Sequence, residues 1–327
     1  MTETNTTSNK ISVFVSGGYE PLAKTLVKEL YTRPDIIGEI RLGLFDGQMP
    51  LDTVRGGAKI AQIIPSKKET IESALKGIDA AFIWRTENED ENLIFQYIDA
   101  ILEQANNDVK GLVILSSYDD SPNSGKEIEE YLVNKSSSLK SPPSVIMLKV
   151  PIFTHHFDLY VKSLVSEKIL QLPIGIEGRF APLDDNDFAI AITNLLVKTA
   201  TTANDAQKID PNAHIKTITL NGPKFYTGPE LAEKLSIIRK EEISFSGTSL
   251  NEAEVFLSHV LPPNSESRIK RYQELYRAIR DGEIVNDYDY DLNKLLGGQQ
   301  PRDVDAYFSE IFSRGSMSQS VRQYRGF

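Results

Sequence analysis

Short apolar runs rich in β-branched residues alternate with longer amphipathic patterns through the first half of the chain. The runs read ISVFVS, EIRLGLFD, AKIAQII, DAAFIWRT, VKGLVILSSYDD and SVIMLKVP. Helical patterns lie between most of them, such as PLAKTLVKEL after the first run and KKETIESALKGI after the third. This alternation is typical of βαβ units, whose right-handed crossovers build a parallel sheet. The sequence therefore predicts an α/β fold in which ligands bind beside the carboxyl ends of the strands.

The second half of the chain is less regular, and its segments are divided between this core and a smaller lobe. The stretch GRFAPLDDNDFAIAITNLLVKTA combines a short strand with a helix, and HIKTITLN predicts a further strand. We predict a flexible N-terminus over 1–10, a core over 11–153 completed by about 179–222, a smaller lobe over 154–178 and 223–314, and a flexible tail over 315–327.

The composition excludes several classes of protein. A formal net charge of −10 without a basic patch argues against a nucleic-acid surface. The chain has no cysteine, so it has no disulfide, thiolate nucleophile or cysteine zinc site, and its four histidines leave little room for other metal centres. No segment approaches the roughly 20 apolar residues that a membrane helix needs. We expect a soluble, cytoplasmic protein that binds neither nucleic acid nor membranes.

Several motifs, taken in order, resemble the NmrA-like branch of the atypical short-chain dehydrogenase/reductase superfamily. They are VFVSGG before the first helix, then GIDAAFIW, LVILSS, GKEIEEYL and IMLKVPIF. In the C-terminal half, ITLNGPKFYTGPELAEKLS, EISFSGTSLNEAEVFL and GGQQPRDVDAYF resemble the festuclavine-synthase-like group of that branch. The resemblance implies a Rossmann-type, doubly wound parallel sheet with a smaller C-terminal α/β lobe. It also implies either an NADP(H)- or NAD(H)-dependent reductase or a cofactor-sensing regulator.

The nucleotide-binding turn departs from the family pattern where phosphate would approach. Family members usually read G-x-x-G-x-x-G, and in register this chain has Gly17, Glu20 and Ala23. The second glycine lets the backbone approach a pyrophosphate at the positive end of a helix, whereas Glu20 adds bulk and a carboxylate. Two like charges about 4 Å apart repel by about 1 kcal/mol in water and by several in a partly buried site. A rebuilt turn that binds a cofactor in a shifted pose is the alternative.

Two further cofactor positions lead to the same interpretation. A residue that reads the adenosine 2′-phosphate should be basic, but the second strand ends in Phe45 and Asp46, and Asp46 would suit only the ribose diol of NAD. The segment IIPSK has no carboxylate where the family has an acidic residue after the third strand. We predict no bound cofactor, and a degenerate cofactor site made of Gly17, Gly18, Glu20, Ala23, Asp46 and Ser116.

No complete set of catalytic residues is visible. Lys126 is a candidate because it has the position of the lysine in a Tyr-x-x-x-Lys pair, but Pro122 occupies the tyrosine position. Lys149 replaces an arginine that is frequent in the family, which keeps the charge and loses the bidentate geometry. His155 and His156 could serve as acid or base, although two structural or surface histidines are the simpler interpretation.

An acidic cluster precedes the helical pattern of the second half. Asp184, Asp185 and Asp187 suit the positive end of a helix dipole. Carboxylates can also bind a divalent cation, but we interpret this cluster as a helix cap and predict no metal site.

We expect a non-catalytic Rossmann-fold protein that has lost its dinucleotide-binding loop and acts through protein–protein contacts. These contacts are either self-assembly into a homo-oligomer or binding of a regulatory protein partner, such as a transcription factor. Aromatic residues of the C-terminal segment suit an interface as well as a lobe core: Tyr272, Tyr276, Tyr288, Tyr290, Tyr307 and Phe308. The alternative is an oxidoreductase that uses NAD(H) or NADP(H) to reduce a small imine, quinone or similar electrophile.

Overall fold

A computed structural model describes residues 10–18, 21–45, 48, 57–84, 92–103, 109–116, 125–137, 139, 141–202, 214–263, 265–284 and 292–313. The chain divides into two compact units, 1–149 with 188–218 and 150–187 with 219–327. The predicted core boundaries differ from this division by a few residues, because 150–153, 179–187 and 219–222 belong to the second unit. The predicted flexible termini lie almost entirely outside the described residues.

The helices and strands follow one another in an order close to the one that the sequence predicts. They are β1 (Ile11–Val15), α1 (Pro21–Tyr31), β2 (Ile37–Phe45), β3 (Lys59–Ile63), α2 (Lys68–Leu75), β4 (Ala80–Trp84), α3 (Leu93–Glu103), β5 (Gly111–Ser116), α4 (Gly125–Ser136), β6 (Ser144–Lys149), a 3₁₀ helix (Thr154–Tyr160), α5 (Val161–Ser166), β7 (Ile169–Leu172), β8 (Arg179–Phe180), α6 (Asp185–Thr202), β9 (Ile215–Thr219), β10 (Tyr226–Thr227), α7 (Gly228–Arg239), β11 (Ser244–Gly247), α8 (Leu250–Val260), α9 (Glu266–Arg280), α10 (Leu292–Leu295) and α11 (Val304–Ser313).

The first unit is built on a seven-stranded sheet with the order β3-β2-β1-β4-β5-β6-β9. The pairs from β3 through to β6 are all parallel, and the register places Val13 of β1 between Ile40 of β2 and Ala80 of β4. The central strands β1, β4, β5 and β6 are buried on both faces, which accounts for their nearly continuous apolar sequences. This arrangement confirms the predicted α/β class and the Rossmann-type, doubly wound parallel sheet.

One face of this sheet is covered by α2, α3 and α4. Their apolar residues form a single buried cluster with side chains from the strands, including Phe14 of β1, Ile83 of β4 and Ile114 of β5. Phe82 lies between Ala81 and Ile83 in β4, so its side chain points to the opposite face of the sheet. There its ring lies 6.0 Å, centroid to centroid, from the ring of Phe188 in α6.

The second unit contains two small sheets and most of the C-terminal helices. The strands β7 and β11 pair in parallel, and β8 pairs antiparallel with β10. Capping boxes start α7 and α8, where Thr227 and Ser249 each exchange hydrogen bonds with a glutamate three residues later. The left-handed Gly282 follows α9. Across the described ranges, no helix is both long and apolar enough to span a bilayer.

Candidate functional site

The order of the large sheet reverses between β1 and β4, which lie side by side. In open α/β sheets the crevice at such a switch point, outside the carboxyl ends of the strands, is the usual place for a ligand. Here a hydroxyl joins the two strands, because the backbone N–H of Trp84 donates to Ser16 Oγ at 3.0 Å. The Ser16 Oγ in turn donates to the Trp84 carbonyl oxygen at 3.4 Å. This hydroxyl therefore fixes the end of β4 to the residue that follows β1.

The first part of the nucleotide turn has the backbone of a glycine turn. Gly17 has a φ of 60°, in the left-handed region that favours glycine. The N–H of Gly18 donates to the Gly43 carbonyl oxygen at 3.1 Å, and a Cβ at Gly18 would lie 3.0 Å from Leu42 Cβ. Gly17 is thus favoured by the backbone conformation and Gly18 by close packing against β2, whether or not a ligand binds. Glu20 lies outside the described residues.

The helix that follows the turn begins with a proline. Pro21 is the first residue of α1, so the first position of this helix has no backbone N–H to donate to an anion. Ala23 is 1% exposed, and its methyl group is accommodated inside the first unit. The substitution at the third glycine position is therefore tolerated by the fold.

The predicted adenosine end of the site is only partly described. Asp46 lies outside the described residues, and the N–H of Phe45 donates to the side chain of Gln48 at 2.8 Å. After β3, the N–H of Ile64 donates to Thr70 Oγ1 at 3.0 Å. The hydrogen bond after β3 therefore joins a backbone N–H to a threonine hydroxyl.

Two of the polar positions that the sequence singled out, Ser116 and Lys149, lie beside Gly125 at the ends of β5 and β6. Ser116 Oγ donates to the Leu148 carbonyl oxygen at 3.1 Å, so this hydroxyl takes part in holding the two strands together. A Cβ at Gly125, the first residue of α4, would lie 3.0 Å from both Ser116 Oγ and Lys149 Cε. Lys126 is exposed on α4, and Pro122 lies outside the described residues. The candidate Lys126 therefore has no described acid or base partner.

The second unit contains the two histidines that the sequence singled out. His155 Nδ1 lies 2.7 Å from Asp185 Oδ1. Burial alone would lower the pKa of His155, but the charge of Asp185 and its hydrogen bond raise that pKa above its usual value. His156 accepts a hydrogen bond at Nδ1 from the N–H of Phe153 at 3.1 Å, and burial together with the charge of His155 holds its pKa well below the usual value. The pKa values of the two rings are therefore shifted in opposite directions.

Several aromatic side chains that the sequence offered for an interface are packed inside the second unit. The hydroxyls of Tyr160 and Tyr276 share a hydrogen bond of 2.6 Å inside the unit, and burial raises the pKa of both. Phe308 is fully buried against Phe157. Tyr272 is half-buried and meets the His156 ring edge to face. Tyr307 donates to Asp158, while Tyr288 and Tyr290 lie outside the described residues.

The acidic cluster at the start of α6 is a cap, as predicted. Asp184 Oδ1 accepts hydrogen bonds from the backbone N–H groups of Asn186 at 2.9 Å and Asp187 at 3.4 Å. Asp187 Oδ2 accepts from the N–H of Arg302 at 2.6 Å. Burial raises the pKa of Asp187 to about 6 despite that hydrogen bond. Among the described residues no group of carboxylates and histidines could hold a metal ion.

Sequence reasoning did not identify Ser16 and Trp84, the two residues that join β1 to β4 at the switch point. Ser16 and Trp84 are 68 positions apart, and only the parallel pairing of β1 with β4 brings them together. In the sequence, each of these residues lies at the end of a predicted strand. This places both residues at the carboxyl edge of the sheet, but it does not show which strands are neighbours.

The fold extends over nearly the whole length of several solved structures. An NADPH-dependent quinone oxidoreductase from Escherichia coli matches with a TM-score of 0.71 at 16% identity, covering 92% of this chain and 99% of that one. Triphenylmethane reductase from Citrobacter sp. matches with a TM-score of 0.71 at 17% identity, with the same coverage. NmrA, a negative transcriptional regulator, matches with a TM-score of 0.67 at 13% identity, covering 94% and 97%.

Structures of the two reductases with NADPH or NADP(H) bound match as well. At these identities the likeness establishes a shared fold, which is the fold that the sequence motifs implied. No protein-family model and no curated protein sequence matches the chain.

Proposed function

We propose that this chain is a non-catalytic, NmrA-like protein that has lost dinucleotide binding and acts through protein–protein contacts. The observation that carries the proposal is the start of α1 at Pro21, directly after Glu20 in the sequence. A dinucleotide needs backbone N–H donors and a positive potential at this helix start. Here a proline removes one donor, and the residue before it in the sequence is a glutamate, so these residue types do not suit a pyrophosphate.

The hydroxyls and cations near the strand ends support the same proposal. Ser16 and Ser116 are used to join neighbouring strands, and Lys126 is exposed without a tyrosine at the expected position. The two serines hold neighbouring strands together, and within the described part of the chain they form no proton-transfer set with Lys126. A role in binding a protein partner or a second copy of the chain needs none of them.

The partner surface is proposed to lie on the second unit. Of the large apolar side chains that are exposed in the described residues, Ile176, Ile237, Val255 and Val260 belong to that unit, and Ile60 belongs to the first. Single exposed apolar residues are common, so their location supports the proposal only together with the altered nucleotide turn. A net charge of −10 favours a basic region on a heterologous partner.

Calorimetric titration with NADH and with NADPH tests the loss of the cofactor. We expect no binding of either at micromolar concentrations, and binding there would contradict the proposal. The double variant Glu20→Gly with Ala23→Gly serves as the matched gain-of-function control. Since about 1.4 kcal/mol corresponds to a tenfold change in affinity, removing the carboxylate should give measurable binding if the turn is the cause. Light scattering during size exclusion tests self-assembly, which a strict monomer at high concentration would contradict.

A second candidate function is supported by the solved structures of the same fold. Their descriptions name NADPH-dependent quinone reduction and triphenylmethane reduction. The first part of the turn, with its left-handed Gly17, is compatible with a rebuilt site for NAD(H) or NADP(H). On this alternative the chain reduces a small imine, quinone or similar electrophile. Oxidation of NADPH that depends on such an electrophile, followed at its absorbance band, would establish it.

A further inference from the structure

His156 uses one ring nitrogen as a hydrogen-bond acceptor at the start of the 3₁₀ helix. Its Nδ1 accepts from the backbone N–H of Phe153 at 3.1 Å. A nitrogen that accepts a hydrogen bond has no proton of its own, so the neutral ring has its proton on Nε2. The next proton that binds this ring must therefore go to Nδ1, the atom that the Phe153 N–H uses as its acceptor.

Three aromatic rings pack against the ring of His156. The rings of Phe153, His155 and His156 are stacked, with centroids 5.0 Å apart between the two histidines and 6.0 Å apart between His156 and Phe153. Tyr272 of α9 meets the His156 ring edge to face, at a centroid distance of 5.5 Å. Such surroundings remove water from the imidazole and disfavour its charged form.

The charged groups around His156 act in the same direction. Its neighbour His155 is paired with Asp185 at 2.7 Å, and the charge of Asp158 on the 3₁₀ helix also favours the charged form of His155. The guanidinium of Arg268 on α9 is a second positive neighbour. Burial, followed by the charges of His155 and Arg268, holds the pKa of His156 well below its usual value.

We propose that His156 is an acid-sensitive latch of the second unit. When its Nδ1 takes up a proton at mildly acidic pH, the Phe153 N–H loses its acceptor, two positive imidazoles lie side by side, and the 3₁₀ helix Thr154–Tyr160 loosens. In the latched state this helix holds Phe157 and Tyr160 in the interior of the unit. Loosening it makes aromatic surface accessible in the unit that we propose for partner contacts. The latch does not depend on cofactor binding, so it applies to either candidate function.

The direction of the pH effect follows from the lowered pKa of His156. Its usual pKa is 6.5, and the folded 3₁₀ helix binds the proton less readily than the unfolded segment does. The contribution of His156 to the stability of the helix is therefore complete above that value and is lost as the pH falls from it toward the folded pKa. The pKa of His155 is shifted upward, so this ring stays charged as His156 takes up its proton.

Hydrogen–deuterium exchange of the full chain, measured by mass spectrometry at about pH 7.5 and about pH 5, tests the latch. His156→Asn is the matched variant, because its side-chain oxygen can replace Nδ1 as an acceptor but takes up no proton. Comparing the two proteins at the same pH cancels the intrinsic pH dependence of exchange. We expect the wild-type rate for the amides of 153–160, divided by the rate in the variant, to rise about tenfold on acidification, as the loss of one buried hydrogen bond implies. A constant ratio would overturn the inference.

Two controls separate a local change from general unfolding in acid. The amides of β5 should stay protected in both proteins at about pH 5, and their exposure together with those of 153–160 would contradict a local latch. His259→Gln removes an exposed histidine of α8 and should keep the wild-type pH response. Loss of the response in His259→Gln would contradict the assignment of the latch to His156.

The wild-type protein gives a second measurement that needs no folded variant. The amide ¹H–¹⁵N resonance of Phe153 reports on the hydrogen bond to His156 Nδ1. We expect it to move upfield or to broaden on acidification, with a midpoint below the usual histidine value of 6.5. No change between about pH 7.5 and about pH 5, or a midpoint at or above the usual value, would overturn the latch. Micromolar binding of NADPH would contradict only the proposed function, so the two failures are distinguishable.

Discussion

Asp187 is a buried carboxylate whose replacement should stabilise the protein at neutral pH. It is 2% exposed in the first turn of α6. Burial raises its pKa from 3.8 to about 6, the nearby Asp184 carboxylate adds to the rise, and the hydrogen bond from the N–H of Arg302 opposes it. The folded protein therefore binds a proton at this site more tightly than the unfolded chain does.

The sign of the pH dependence follows from the raised pKa. A group whose folded pKa exceeds its unfolded pKa contributes stability below the unfolded value, and that contribution is lost as the pH rises through the folded value. For Asp187 the window runs from 3.8 to about 6. A shift of about two units, at about 1.4 kcal/mol per unit, corresponds to about 3 kcal/mol. Above this window the ionised carboxylate lowers the free energy of unfolding by about that amount.

The perturbation is Asp187→Asn, which stays neutral and whose side-chain oxygen can still accept from Arg302. We expect this variant to match the wild type at about pH 4 and to exceed it by about 3 kcal/mol at about pH 8. Urea denaturation followed by far-ultraviolet circular dichroism, repeated across this range, gives the free energy of unfolding.

A second substitution in the same turn controls for net charge. Asp185→Asn removes the same charge but also the partner of His155, whose pKa Asp185 raises. The stabilisation from this pair is present below the usual pKa of histidine and is lost as the pH rises through the folded value. Asp185→Asn should therefore never exceed the wild type in stability. A constant difference between Asp187→Asn and the wild type across the pH range would refute the raised pKa.

Further predictions concern packing, a helix end and association. Gly222→Ala places a Cβ 1.9 Å from the Pro182 carbonyl oxygen and should cost about 3 kcal/mol, so an unchanged melting temperature would contradict it. Arg41 donates to two carbonyl oxygens at the end of α2, at 2.7 and 2.8 Å, and Arg41→Met should cost about 2 kcal/mol in urea denaturation. Ile237→Asp should reduce self-association in light scattering, whereas Ile60→Asp should not. Equal effects of the two substitutions would contradict an interface on the second unit.

Elements with a local signal could be predicted from the sequence, and those that depend on distant pairing could not. The strands of the large sheet are short apolar runs, and α7 has a capping box that is visible in the sequence as Thr227 and Glu230. In contrast, β7 consists of four residues that pair with β11, about 75 positions away, and β10 has only two residues. Nothing within such short stretches distinguishes a strand from a loop.

The candidate site shows the same division between local and distant information. The left-handed Gly17 and the cap formed by Asp184 follow from their own neighbours in sequence. The pairing of His155 with Asp185 and the burial of Asp187 beside Arg302 join segments separated by 30 and 115 positions. The sequence singled out both histidines but could not assign opposite pKa shifts to them, because those shifts depend on partners brought together by folding.

The residues of the nucleotide turn separate into those that the fold needs and those that only a phosphate needs. Gly17 and Gly18 satisfy the backbone and the packing against β2, and Ala23 is accommodated in the core. Pro21 is favourable at the first position of a helix and unfavourable only for an anion that needs its N–H. A proline at this position is therefore compatible with a stable helix. The fold shared with the NADPH-dependent enzymes therefore does not itself require the backbone N–H that Pro21 lacks.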